Sequence, residues 1–115
     1  MKDIDSRKKA LICARACQDK KAKGIVLMEM KEVSNIADFF IICEGQSDKQ
    51  LKAIADNILE KLKNLYIRVW HIAGYEEAKW ILLDYNDVII HIFCKQMRSF
   101  YDLEHLWSKA PRSSL

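Results

Sequence analysis

Two apolar runs on either side of a polar turn constrain this chain more than any other feature. Lys79 to Leu83 and Val88 to Cys94 flank Asp84-Tyr85-Asn86-Asp87. Branched and aromatic side chains fill both runs, and Asp and Asn suit a tight reversal, so the stretch predicts a β-hairpin. A loop of two or four residues centred on Tyr85-Asn86 places Trp80 opposite His91 and Leu82 opposite Ile89 on one face. A bulge at Asn86 would shift that register.

The rest of the chain reads as helices and strands that could pack on such a hairpin. Ser6 to Lys23 predicts a helix capped by Asp5 or Ser6 and stopped by Gly24, with Ala10, Leu11, Ala14 and Cys17 near one stripe. Ile25 to Met30 predicts a strand, and a turn follows around Ser34-Asn35. Phe39 to Cys43 is apolar on both sides, as in a strand covered on both faces, and Gly45 ends it. Ser47 and Gln50 have the spacing of a capping box. Behind it Leu51, Ile54, Ala55, Ile58, Leu59, Leu62 and Leu65 recur at helical spacing until about Asn64. A strand is expected from Ile67 to Ile72, a loop over Gly74 to Glu77, and a closing helix from about Met97 to Ser108.

The resulting order is α-β-β-α-β-β-β-α: an α/β fold with a mixed sheet of about five strands flanked by helices. The 115 residues have room for one core. They are read as a single domain over 1–115, with a short tail from about Lys109. No apolar run approaches the ~20 residues of a membrane span. The N-terminal MKDIDSRKKAL mixes charges of both signs, unlike a secretory signal. A cytoplasmic protein with no membrane partner is expected.

Chemistry-bearing residues are sparse. A net charge of +3 does not by itself make a nucleic-acid binder, although Lys8, Lys9, Arg15, Lys20, Lys21 and Lys23 cluster on what reads as a solvated helix face. Cys13, Cys17, Cys43 and Cys94 form no CxxC pair and read as reduced core residues. His71, His91 and His105 share no metal-ligand spacing. Ser99 has no identifiable base. No Walker or dinucleotide loop can be written around Gly24, Gly45 and Gly74. Neither a catalytic residue, a metal, a cofactor nor a small-molecule substrate is therefore expected. His91 reads either as a hydrogen-bonded core residue or as a polar contact beside Trp80. Trp80, Tyr101 and Trp107 suit a core and an interface equally well.

A longer pattern runs through the chain. It comprises Gly74-Tyr75, Trp80, Asp84, Asp87, His91, Phe93, Arg98, Phe100-Tyr101, Leu103-Glu104 and Leu106-Trp107. Upstream it includes Asp38 with FFII, Gly45-x-Ser47 with Gln50, and IADNI from Ile54 to Ile58. In this the chain resembles the ribosomal silencing factor, or Iojap-like, family from about Ala22 to Trp107. The resemblance implies a nucleotidyltransferase-like fold without catalysis. It implies translational silencing: binding the large ribosomal subunit through its fourteenth protein and sterically blocking the small subunit. Matched residue by residue, it implies partner contacts at Trp80, Asp84 and His91 on the hairpin and at Tyr101, Leu103 and Leu106 on the last helix.

Departures from the family pattern fall elsewhere. Ala37 stands where a hydroxyl residue is usual, Asp48-Lys49 where Ser-Arg is usual, and Asn86 where Gly is usual. Asn tolerates the left-handed backbone that Gly would adopt. Two other classes stay open. An RNA-binding module would need a basic stripe with interleaved exposed aromatics. A nucleotidyltransferase would use Gly45-Gln46-Ser47, but needs carboxylates for Mg²⁺ on the next strand, and IRVWHI has none. A homodimer off the ribosome is also open.

Overall fold

The computed structural model describes residues 4–115, so Asp3 of the N-terminal charge pattern lies outside the described residues. The elements are α1 (Ser6–Asp19), β1 (Lys23–Glu29), β2 (Phe39–Gly45), α2 (Asp48–Lys63) and β3 (His71–Ala73). They continue with β4 (Trp80–Asp84), β5 (Val88–Cys94), α3 (Lys95–Tyr101), α4 (Leu103–Leu106) and β6 (Arg112–Ser114). The six strands lie in the order β3-β4-β5-β2-β1-β6. β2 and β5 are parallel and every other pair is antiparallel, so the mixed α/β sheet is as expected, with one strand more. None of the described helices is long and apolar enough to cross a membrane.

Alternation along the strands divides the apolar residues between two faces. One face carries Leu27, Phe39, Ile41, Cys43, Ile81, Leu83, Ile90 and Ile92 under α1 and α2. Leu51, Ile54, Ala55, Ile58 and Leu62 of α2 close over it, as their spacing predicts. The other face carries Met28, Phe40, Ile42, Ile89, His91 and Phe93. Here the cover is thinner: Val33, Met97, Leu103 and Trp107 pack on it only in part.

The start of α2 follows the sequence closely. Ser47 Oγ accepts a hydrogen bond from Gln50 N at 3.0 Å. Gln50 Oε1 reaches back to Gln46 N at 2.7 Å, one residue earlier than a capping box requires. The cap accounts fully for Ser47. α1 ends sooner than expected, at Asp19, because Lys21 takes positive φ and Ala22 N bonds to Cys17 O. Gly24 is therefore not the stop. It sits at a register shift in β1 with φ +58°, and a Cβ there would come within 2.5 Å of Arg98 Nη1.

Four further expectations are corrected. The hairpin register is shifted: Trp80 pairs with Phe93 and Leu82 with His91, not Trp80 with His91. The cause is Tyr85, which is buried on the face under α1 and α2 and so stays with the strand. The reversal then falls on Asn86, at φ 73°, with Asp87 N bonding Tyr85 O across it. Of the third predicted strand, Ile67 to Ile72, only His71 and Ile72 are paired, in an edge strand that runs His71–Ala73. The closing helix is broken at Asp102, whose φ is 46°. The segment read as a tail is β6, an edge strand on β1, with Pro111 O and Leu115 N extending the pairing.

Candidate docking face

The thinly covered sheet face gathers the aromatic residues. Trp80 at the end of β4 stands beside Phe93 of β5, with ring centroids 5.0 Å apart and nearly parallel. On its other side lies Tyr101 of α3, at 4.5 Å. Phe100 meets Tyr101 edge-on at 5.0 Å. Inward, His91 packs edge-on against Phe40 at 4.7 Å, and Phe40 reaches Trp107 at 6.5 Å. A continuous aromatic row thus runs from half-buried Trp107, past buried Phe40, His91 and Phe93, to Phe100, which is 76% exposed.

His91 orients this row from beneath. Trp80 Nε1 donates to His91 Nδ1 at 3.2 Å, a diagonal contact on one sheet face rather than a directly opposed pair. Indole nitrogen can only donate, so Nδ1 is bare and the neutral ring carries its proton on Nε2. Among the described residues Nε2 has no partner, although it is buried. Burial pushes the His91 pKa down from 6.5 to about 4. Protonation would also place an N–H against the indole N–H. The unfolded chain therefore takes up its proton first. Stability is full above about pH 6.5 and falls as the pH drops toward 4, by on the order of 2–3 kcal/mol if this group acts alone. Urea unfolding across that range measures the slope, and His91→Gln, which keeps an acceptor but does not titrate, is expected to flatten it.

α3 and α4 are held on this face by Arg98. Its Nε and Nη2 fork onto the Glu104 carboxylate at 3.0 and 3.2 Å. Nη1 reaches Glu44 Oε1 at 3.4 Å, and Nη2 donates to Gly24 O at 2.8 Å. Burial would depress the guanidinium pKa, but Glu104 and Glu44 outweigh it and the pKa is raised. Arg112 Nη2 adds a bond to Glu104 O at 2.7 Å. The break at Asp102 lets the chain fold back so that Glu104 meets Arg98.

The structure brings Trp80, His91 and Tyr101 together and sets half-buried Leu103 against the same apolar cluster. Leu106 is exposed on α4. Asp84 lies at the far end of β4, roughly 13 Å along the strand from Trp80. Its Oδ1 accepts from Asn86 N at 2.8 Å, the turn role its spacing suggests. Half-buried Leu82 lies between them on the same face; the alternation of β4 would have identified it.

Elsewhere the chemistry is sparse. Among the described residues no three His, Cys, Asp or Glu side chains are placed to hold a metal ion. The strand beside Gly45 is β5, whose sequence VIIHIFC also lacks carboxylates. Cys13, Cys17 and Cys43 are buried, with the Cys17 and Cys43 sulfurs 3.8 Å apart. Lys9 of the N-terminal basic cluster pairs with Asp87 at 2.8 Å, tying α1 to the hairpin turn.

Comparison with known proteins shows the family. A family model described as "Ribosomal silencing factor during starvation" matches residues 3–115. The chain is 45% identical over 104 residues to the ribosomal silencing factor RsfS of Bacillus subtilis (strain 168), covering 90% of this chain and 88% of the relative. A crystal structure from Chromobacterium violaceum matches with a TM-score of 0.89 at 28% identity, covering 91% of this chain and 88% of that one. A second, from Bacillus halodurans, matches with a TM-score of 0.83 at 38% identity, covering 95% and 99%. With fold, motifs and near-complete coverage in agreement, the chain belongs to the ribosomal silencing factor family.

Proposed function

We propose that this chain silences translation by docking its Trp80–Tyr101 face on the large ribosomal subunit. The partner is the fourteenth protein of that subunit, and the bound chain occupies space the small subunit needs. The observation that carries the reading is the aromatic row: its inner members are locked in the core while its outer members, Tyr101 and Phe100, stay exposed. A rigid row with one open end suits a hot spot, because little side-chain freedom remains to be lost on binding. Tyr101, Leu106 and the open edge of Trp80 touch the partner. Leu103 and His91 hold them in place, and Asp84 shapes the hairpin tip. The mechanism is steric and uses no catalytic group, cofactor or small substrate.

Gradient sedimentation of cytoplasmic extract is expected to place the chain with free large subunits and not with translating ribosomes. Equal recovery across polysomes, or none with large subunits, refutes the reading.

A further inference from the structure

We propose that the segment joining α2 to β3 is a second binding surface, for single-stranded RNA. This surface is distinct from the aromatic row of the docking face. Its backbone is anchored at both ends. Ile67 N bonds Leu62 O at 2.9 Å as α2 terminates, and Trp70 N bonds Asp84 O at 2.8 Å. Tyr66, at φ 63°, closes the turn that ends α2, and Ile67 to Val69 follow between these anchors. Ile67 and Val69 turn inward onto the core under α1 and α2. Tyr66, Arg68 and Trp70 turn outward.

Tyr66 is 82% exposed and Trp70 is 68% exposed. Arg68 is exposed as well and stands between the two in sequence. Beside them a groove of about 550 Å³ is lined by Leu59, Lys63, Tyr66, Ile67, Arg68 and Val69. Its floor is apolar and its charged members are both cations.

Charge decides what this groove accepts. Its cations are Lys63 and Arg68, while Asp56 and Glu60 stand with Lys63 in the adjoining hollow. Neither cation forms an ion pair among the described residues. A protein partner seated by its apolar side chains would leave these cations unanswered. A polyanion with planar faces answers both features: phosphates meet the cations while bases stack on the rings and the guanidinium. Two cations and two exposed aromatics thus share one surface, outside the N-terminal lysine cluster. RNA is the form of that ligand that a ribosome-directed chain meets.

The test uses the full chain and a fluorescent oligouridylate of about a dozen nucleotides, followed by anisotropy at low salt. Binding by the parent is expected. Trp70→Ala is expected to weaken it about tenfold, as for loss of one stacked base. Arg68→Ala is expected to reduce the salt slope by about 0.7, as for one phosphate contact. Both variants should melt with the parent, since both side chains are exposed. Four results would overturn the proposal: no binding by the parent, undiminished binding by a Tyr66→Ala, Trp70→Ala double variant, equal competition by inorganic polyphosphate, or loss of a dimer on Trp70→Ala with RNA binding unchanged. None of these depends on large-subunit sedimentation, so the two readings stand or fall separately.

Discussion

Trp80→Ala is expected to weaken binding to free large subunits by about 30-fold or more, the loss of a central hot spot of at least ~2 kcal/mol. It is also expected to cost stability. The ring is half-buried between Phe93 and Tyr101, and its N–H answers His91 Nδ1. Truncation leaves a void and an unpaired buried nitrogen, so a loss of about 3 kcal/mol follows, at the low end for removal of a large aromatic. Trp80 is thus neither a free surface residue nor a core residue. Two companion variants separate the contributions. Tyr101→Ala removes an outer ring that is 44% exposed, so affinity should drop while the urea midpoint stays near that of the parent. Trp80→Phe keeps an apolar ring on Phe93 and Tyr101 but abandons His91, so it should recover much of the stability. Unchanged affinity in both Trp80→Ala and Tyr101→Ala would eliminate this face as the docking surface.

Arg98→Ala is expected to be the most destabilising single change considered, at about 3–5 kcal/mol. The figure reflects what is left behind more than what is lost. Glu44 and Glu104 are both mostly covered, at 22% and 23% side-chain exposure, and Arg98 is the cation they share. Without it two mostly covered carboxylates lose the cation they share, and Gly24 O loses its donor. The segment from Lys95 to Leu106 should loosen from the sheet, carrying Tyr101 away from Trp80. Arg98→Lys keeps the charge but not the planar fork, and should recover only part of the loss. Adding Glu44→Gln and Glu104→Gln to Arg98→Ala should also restore part of it, because the stranded charges are removed. Urea midpoints for this series decide the matter: a near-parental value for Arg98→Ala would mean that the network contributes nothing net.

The elements legible in the sequence are those whose pattern is local. α2 declares itself through one apolar stripe and a Ser47 cap, because both act within a few residues of chain. β2 declares itself as apolar on both faces and β5 as one arm of a hairpin, and the structure buries both strands. The family pattern added what periodicity lacks, by naming Trp80, His91 and Tyr101 as members of one surface. Tertiary structure decided the rest, where a distant partner settles the choice. The hairpin register depends on where Tyr85 is buried, and that depends on helices far along the chain. β6 is three exposed polar residues, readable as a strand only once β1 offers an edge. The positive φ of Asp102 lies between two short helices that Arg98 and Glu104 draw together. The outward row of Tyr66, Arg68 and Trp70 follows from burial of Ile67 and Val69, which alternation alone would have assigned to a full strand. Short-range pattern chose the elements. Long-range burial and pairing chose which face each residue presents, because moving a strand by one residue exchanges its two faces.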